Sequence, residues 1–174
     1  MVGSRIYSIG HSTRSEEEFA ELLRSFGIVQ LADIRALPGS NRYPQFNREN
    51  LEVLLPRLGI AYIHLPALGG RRRGLGRESP NQGWRNASFR AYADHMLSSE
   101  FEAGLSELLA LPQPMTMMCA EAVPWRCHRS LVADALAARE ISVLHITAPS
   151  QAPAHRLTPF ARLEGGKLTY PAQR

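Results

Sequence analysis

The greatest concentration of reactive side chains lies in residues 119–129, which read Cys-Ala-Glu-Ala-Val-Pro-Trp-Arg-Cys-His-Arg. This segment contains both cysteines of the chain, together with a glutamate, a histidine and two arginines. A thiol close to a helix start and to arginines has a lowered pKa, and its thiolate is a nucleophile. We interpret Cys119 as a candidate nucleophile or redox thiol and Glu121 as a candidate acid/base. The alternative for Cys119 is a small buried hydrophobic side chain.

The same segment offers side chains that bind metals. Cys119, Cys127 and His128 are ligand types for zinc or iron. Their spacing matches no standard zinc motif, and the chain has no Cys-x2-Cys pair. We therefore expect no metal site. The alternative is a site with Cys119, Cys127 and His128 as its ligands. The sequence specifies no cofactor.

Two further short motifs, Gly10-His11-Ser12 and Asp33-Ile34-Arg35, follow predicted strands. His11 is either an acid/base group that projects into a cleft or a structural histidine of its loop. Arg35 is either a phosphate ligand or the partner of Asp33 in an internal ion pair. On the functional interpretation, the catalytic residues are Cys119, Glu121 and His11, and the residues that bind substrate or an anion are Ser12, Arg35, Arg126, Cys127, His128 and Arg129.

Strand and helix patterns alternate along the chain. Apolar runs predict strands over 5–9, 29–34, 60–65, 115–119 and 141–146. Capping residues and glycine stops predict the helices between them. The expected starts are a Ser15/Glu18 capping box, a cap at Asn47, a cap at Ser88, a Ser99/Glu102 capping box and a last helix over 126–139. Pro56 is expected to kink or shorten the end of the second helix.

This alternation predicts a single α/β domain over residues 1–174, with a five-stranded, mostly parallel sheet and helices on both faces. Residues 147–174 are expected to form a C-terminal extension packed on that domain, with a small hairpin around Gly165-Gly166. Polar residues follow the carboxyl ends of the predicted strands, whereas the opposite ends are plain turns. In such sheets the ligand cleft lies at the carboxyl ends of the strands, so we expect the site there.

Composition narrows the class of protein. The chain has 174 residues, 44% hydrophobic and 21% charged, which is ordinary for a globular protein. No apolar run is long enough to span a bilayer, so we expect no membrane association and a cytoplasmic location. The net charge of +4 suits a nucleotide or nucleic acid. The glycine-flanked run Arg71–Arg73 is either a solvated loop or a segment that closes on a phosphate. The sequence does not specify an oligomeric state.

The chain strongly resembles the family catalogued as domain of unknown function 488. Matching segments cover nearly the whole chain, and the eleven-residue cysteine motif is the most specific of them. They are 8–12, 33–35, 44–47, 65–70, 88–94, 119–129 and 157–162. The resemblance implies that the Gly-His-Ser turn and the Cys-Ala-Glu and Cys-His-Arg segments form the family signature. It brings no established reaction.

These observations lead to one main hypothesis about function. We expect an enzyme that acts on a phosphate-bearing substrate, namely a nucleotide, nucleoside or nucleic acid, through a cleft that contains cysteine, glutamate and histidine. The alternative is a non-catalytic module that binds nucleic acid, or that senses redox state or metal through Cys119 and Cys127. A catalytic Cys119 must line an open pocket.

Overall fold

The computed structural model describes residues 4–173, and its centre is a parallel five-stranded sheet. The strand order is β3-β2-β4-β1-β5, so β4 lies in the middle between β2 and β1. The predicted α/β fold with a five-stranded parallel sheet is confirmed. The strands are β1 (Arg5–Gly10), β2 (Gln30–Asp33), β3 (Ala61–His64), β4 (Met115–Cys119) and β5 (Ser142–His145).

Five α-helices cover both faces of this sheet. They are α1 (Glu16–Ser25), α2 (Arg48–Arg57), α3 (Ala87–His95), α4 (Ser99–Leu109) and α5 (Arg129–Ala137). Helices α1 and α2 bury Phe19 and Leu51 against one face, in a core that includes Ile9. Helices α3, α4 and α5 pack on the other face, in a core that includes Ile6 and Met117. Successive strand residues point to opposite faces, which is why Ile6 and Ile9 enter different cores.

Side-chain caps determine where several helices begin. Ser15 and Glu18 form the predicted capping box of α1. Two other predicted caps are wrong by one or two residues. Asn86 caps α3 instead of Ser88, and Ser98 caps α4 instead of Ser99. Asn and Ser are equally good caps, so adjacent candidates compete and only the backbone geometry decides between them.

The predicted start of the last helix at residue 126 is also wrong. A 3₁₀ turn occupies Pro124–Arg126, and α5 begins only at Arg129. The backbone of Cys127 is extended, with φ −136° and ψ 148°, which separates the turn from the helix. Cys127 and His128 therefore precede the helix and do not form its first turn.

The C-terminal segment packs against the face that carries α3, α4 and α5. It contains the predicted hairpin, whose strands β6 (Arg162–Glu164) and β7 (Lys167–Thr169) are antiparallel. Leu168 and Tyr170 are buried in the core of that face. Within the described residues, no helix is both long and apolar enough to cross a membrane.

Candidate active site

The carboxyl ends of β1, β2 and β4 meet at one edge of the sheet. The backbone N–H groups of His11 and Ser12 donate to the carbonyls of Cys119 and Ala120, at 3.0 and 2.8 Å. On the other side of β4, the N–H of Ile34 donates to the carbonyl of Met118 at 3.0 Å. The loops predicted to carry the site are therefore adjacent, because β4 is hydrogen-bonded to both neighbouring strands.

A cleft of about 370 Å³ opens at this edge. Six of the predicted site residues line it, namely Arg35, Cys119, Glu121, Arg126, Cys127 and His128. The predicted residues His11, Ser12 and Arg129 are not among its lining residues. The remaining lining side chains come from the loops after β2 and β3 and from α3, and include Leu37, Arg71, Phe89 and Tyr92.

The two thiols lie together in this cleft. Cys119 ends β4 and is only 1% exposed, and its sulfur lies 3.6 Å from the carbonyl oxygen of Glu121. Burial by itself raises the pKa of Cys119, but the neighbouring Cys127 thiol and the charge of Arg129 outweigh it, so that the pKa is lowered. Conversely, the hydrogen bond to Cys119 and burial raise the pKa of Cys127. Cys119 is therefore the more acidic of the two thiols and the one that forms a thiolate first.

His128 borders the second thiol. Its Nε2 lies 2.8 Å from the carbonyl oxygen of Ile34, which can only accept, so Nε2 carries the proton. Burial lowers the pKa of His128, and the neutral ring leaves Nδ1 as an acceptor 3.5 Å from the sulfur of Cys127. The ring also packs against Tyr92, with centroids 5.0 Å apart. His128 thus holds the loop after β2 and offers a weak acceptor to Cys127.

Arg35 forms an internal ion pair with Asp33, which is one of the two roles that the sequence predicts for it. Its Nε and Nη2 donate to the carboxylate of Asp33 at 2.9 and 2.7 Å, and Nη2 also donates to the carbonyl of Phe46. Tyr62 donates its hydroxyl to the same carboxylate at 2.5 Å. Arg35 therefore contributes a guanidinium edge to the cleft, while its charge is already neutralised by Asp33.

His11 lies behind Arg35, outside the cleft lining. It stacks on Phe46 with a centroid distance of 4.5 Å, and its Nδ1 lies 2.9 Å from the carbonyl oxygen of Ser12. Its Nε2 is 3.4 Å from Nη1 of Arg35. Burial lowers the pKa of His11 to about 4. The ring is therefore neutral near pH 7 and contacts Arg35.

Arg129 is fully buried and binds the backbone of the loop after β4, residues 120–128, which we call the cysteine loop. Its Nη2 donates to the carbonyls of Glu121 and Ala122 at 3.1 and 3.2 Å, and its Nη1 donates to the hydroxyl of Ser8 at 3.2 Å. The same loop crosses the end of β1 so closely that a Cβ on Gly10 would lie 1.7 Å from the Glu121 carbonyl oxygen. Only glycine allows this approach.

The exposed charged groups at the cleft are Arg71, Glu121 and Arg126. Within residues 4–173, the guanidinium groups of Arg71 and Arg126 make no side-chain hydrogen bond or ion pair, so they can meet a ligand. The neighbouring Arg72 is committed to the fold, because it binds the carbonyls of Pro66 and Gly69 and the carboxylate of Glu100. The described part of the chain contains no group of three or more His, Cys, Asp or Glu residues arranged to hold a metal ion.

Sequence reasoning missed a buried polar cluster next to this site. It comprises Ser8, Asp134, His145, His155 and Tyr170. One signal was present in the sequence. Asp134 interrupts the apolar run 131–136 in α5, where a charge must find partners inside the protein.

The fold and the cleft together define an α/β protein with a thiol-containing site at the carboxyl edge of a parallel sheet. The chain belongs to the family described as "Domain of unknown function DUF488", which matches residues 15–136. No curated protein and no solved structure matches the chain. The matched residues include the whole cysteine motif, whereas β1, β5 and the C-terminal segment lie outside the match.

Proposed function

We propose that this protein is an enzyme that acts on a phosphate-bearing substrate, with Cys119 as the nucleophile. The observation that carries this proposal is Cys119, which is among the residues that line the cleft, is itself only 1% exposed and has a thiol with a lowered pKa. Perturbed titratable groups in clefts are candidates for catalysis. Reduced thiols of this kind suit the cytoplasm, where we expect the protein to function.

The cleft walls support a ligand that has both an anionic and a flat apolar part. Arg71 and Arg126 provide unpaired guanidinium groups, which bind phosphate oxygens in a bidentate manner. Phe89 provides a partly exposed aromatic side chain on the opposite helix, α3. The volume of about 370 Å³ falls within the usual range for small-molecule sites, roughly 300–1,000 Å³. A nucleotide, a nucleoside or one residue of a nucleic acid has this combination.

The covalent step follows from the thiolate. The Cys119 sulfur forms a bond to an electrophilic atom of the substrate, while the bond from that atom to the leaving group breaks. The leaving group takes the electron pair and a proton, for which Glu121 is the candidate donor. Water then attacks the same atom and gives its proton back to Glu121, which releases the product and restores the thiolate.

The first experiment measures the pH dependence of alkylation at each cysteine, with site assignment by mass spectrometry. We expect Cys119 to titrate below about 8.5, the value of a free thiol. In Cys127→Ser, the pKa of Cys119 should still lie below that value. It should be higher than in the wild type if the serine hydroxyl is a weaker hydrogen-bond donor than the thiol. Cys119→Ser is the control that isolates Cys127. Titration of Cys119 at the free-thiol value in the wild type would remove the nucleophile from the proposal.

The second experiment measures thermal stabilisation by mononucleotides and short oligonucleotides at two salt concentrations. We expect stabilisation that is weakened in Arg126→Ala and Arg71→Ala and at high salt. Arg162→Ala, which removes an exposed arginine of the hairpin, is the matched control. Stabilisation that is equal in all three variants would show that these anions do not bind in the cleft.

A second candidate function is favoured by the presence of both thiols in the lining of one cleft. A redox module would oxidise Cys119 and Cys127 to a disulfide, with one molecule of hydrogen peroxide reduced to two molecules of water. Mass spectrometry after peroxide treatment would detect the loss of two hydrogen atoms, and a dithiol reductant should restore them. In that case, substrate turnover should be absent and the non-catalytic alternative would replace the enzyme.

A further inference from the structure

A continuous hydrogen-bond chain runs beneath the cysteine loop from Arg129 to Asp134. The hydroxyl of Ser8 accepts a hydrogen bond from Nη1 of Arg129, and the same hydroxyl is hydrogen-bonded to Nδ1 of His145. Nε2 of His145 lies 2.9 Å from Nδ1 of His155, and Nε2 of His155 lies 2.7 Å from the carboxylate of Asp134. We call these five residues the Arg129–Asp134 chain.

The direction of every hydrogen in this chain is determined by its ends. An arginine only donates and a carboxylate only accepts. Burial, together with the charge of Arg129, lowers the pKa of His145 to about 3, so this ring is neutral near pH 7. Because the carboxylate of Asp134 only accepts, His155 donates to it through Nε2; Nδ1 of His155 then serves as the acceptor for Nε2 of His145, and Ser8 donates to Nδ1 of His145. Both histidines are then Nε2–H tautomers.

The far end of the chain is built by the C-terminal segment. The carboxylate of Asp134 also accepts from the Thr158 backbone N–H at 3.1 Å, the Thr158 hydroxyl at 2.6 Å and the Tyr170 hydroxyl at 2.7 Å. His155 belongs to the same segment. Asp134 is thus a fixed negative charge, and the two histidines transmit its polarity to Ser8.

The near end of the chain matters because Arg129 has a buried charge and no carboxylate partner. The ion pairs within residues 4–173 do not include Arg129, and its Nε has no hydrogen-bond acceptor. A buried guanidinium is costly without compensation. The charged and titratable groups that act on Cys119 are Cys127, Arg129 and Glu121, and Arg129 is the positive one. Whatever keeps Arg129 in place also keeps the countercharge of the thiolate in place.

We propose that His155 of the C-terminal segment is a positioning residue for Cys119, which it serves through His145, Ser8 and Arg129. This inference rests on the proposed function, in which Cys119 is the nucleophile. The chain holds the guanidinium in its dry position under the cysteine loop. There, its Nη2 fixes the backbone of Glu121 and Ala122. Without the chain, Arg129 loses an acceptor and moves toward water, away from the thiol.

The test combines three variants with two measurements. Ser8→Ala cuts the chain at its smallest member, and His155→Gln cuts it at the other end should Ser8→Ala fail to fold. Tyr170→Phe is the matched control, because it removes a hydroxyl from the same carboxylate but leaves the path intact. The first measurement is the pKa of Cys119 from alkylation rates. The second is the ¹⁵N spectrum of the labelled histidines, which reports the tautomer of each ring.

We expect the pKa of Cys119 to rise by about one unit in Ser8→Ala and His155→Gln, which is a tenfold loss of thiolate at a pH below both values. Tyr170→Phe should leave it unchanged. The wild-type spectrum should show Nε2–H tautomers for His145 and His155. An unchanged or lower pKa in both cut variants, an equal rise in the control, or an Nδ1–H tautomer for His145 would overturn the inference. Failure of the proposed function would be distinct, since it would appear as an ordinary Cys119 pKa in the wild type.

Discussion

Two buried arginines lie on either side of β4, and their charges are compensated in different ways. Arg35, after β2, has a carboxylate in direct contact at 2.7 Å. Within residues 4–173, the side chain of Arg129, at the start of α5, has only carbonyl oxygens and the hydroxyl of Ser8 as hydrogen-bond acceptors, and its charge lowers the pKa of Cys119. A paired arginine exerts little net field on its surroundings. An arginine without a carboxylate stabilises any anion that forms beside it, and Cys119 is positioned to be that anion.

This comparison assigns different properties to the two sides of the cleft. On the side that contains Asp33 and Arg35, the two charges pair directly with each other, and Phe46 and Tyr62 add further hydrogen bonds. On the side that contains Arg129 there is no such ion pair among the described residues, and the position of the guanidinium depends on groups from β1, β5 and the C-terminal segment. The following experiments test this difference, in order of expected effect.

The largest effect should follow from breaking the ion pair of the first side. Asp33→Asn leaves Arg35 buried and charged, which we expect to lower the free energy of unfolding by about 3–5 kcal/mol. Urea denaturation measures it. Glu102→Gln, which removes the partner of the exposed Arg139, should cost less than about 1 kcal/mol. Equal losses in the two variants would mean that the Asp33–Arg35 pair is no more than a surface contact.

Acid should destabilise both sides through their histidines. Burial lowers the pKa of His11 to about 4 and that of His145 to about 3, from an ordinary 6.5. The unfolded chain binds protons at these two histidines at a higher pH than the folded chain does, so stability falls as the pH drops from about 6.5 toward 4, by about 2–3 kcal/mol for each ring. Urea denaturation between pH 4.5 and 7.5 measures this slope. His11→Gln and His145→Gln should each flatten it, and parallel slopes in all three proteins would argue against buried neutral rings.

The cysteine loop should be sensitive to added volume at the end of β1. Gly10→Ala places a methyl group against the Glu121 carbonyl, and overpacking of this kind costs about 2 kcal/mol. Gly39→Ala is the control, since its nearest neighbour, Asn47 Oδ1, is 3.9 Å from the new Cβ. Thermal denaturation should separate the two variants, and a Gly10→Ala protein as stable as Gly39→Ala would contradict the close approach of the loop.

The smallest expected effect concerns the charge beside the thiol. Arg129→Gln removes the guanidinium and should raise the pKa of Cys119 by about one unit, equivalent to about 1.4 kcal/mol. Arg126→Gln also removes a charge near the cleft, but Arg126 is exposed and should leave this pKa unchanged. Alkylation rates against pH provide the measurement. If the two variants behave alike, the buried and exposed arginines do not differ as we describe.

Local patterns were sufficient to predict the fold. Each strand is a short apolar run, and capping residues and glycines separate the runs from amphipathic helices, so each element is encoded within a few residues of itself. The errors lie at helix starts, as with Ser88 and Asn86, where neighbouring residues satisfy the same backbone donors. The edge at which the site lies also followed from the sequence, because the carboxyl ends of parallel strands must coincide.

Side-chain partners across the fold could not be predicted in the same way. Ser8 and His145 are far apart in sequence, and neither belongs to a motif that suggests the other. The side chain of His11 follows the end of a strand, as expected, yet it stacks on Phe46 and contacts Arg35 from behind. Which of two possible directions a side chain takes depends on tertiary packing, and this information is absent from spacing.

The position of β1 has a consequence for how the protein forms during synthesis. This strand pairs only with β4 and β5, as in the register of Tyr7 opposite Thr116 and Leu144. Because β1 is synthesised well before β4 and β5, its backbone hydrogen-bonding groups stay unpaired until those two strands have left the ribosome. Such long-range closure makes folding slow. The thiols can acquire their countercharge only at the last stage of assembly, so a nascent chain should carry cysteines of ordinary reactivity.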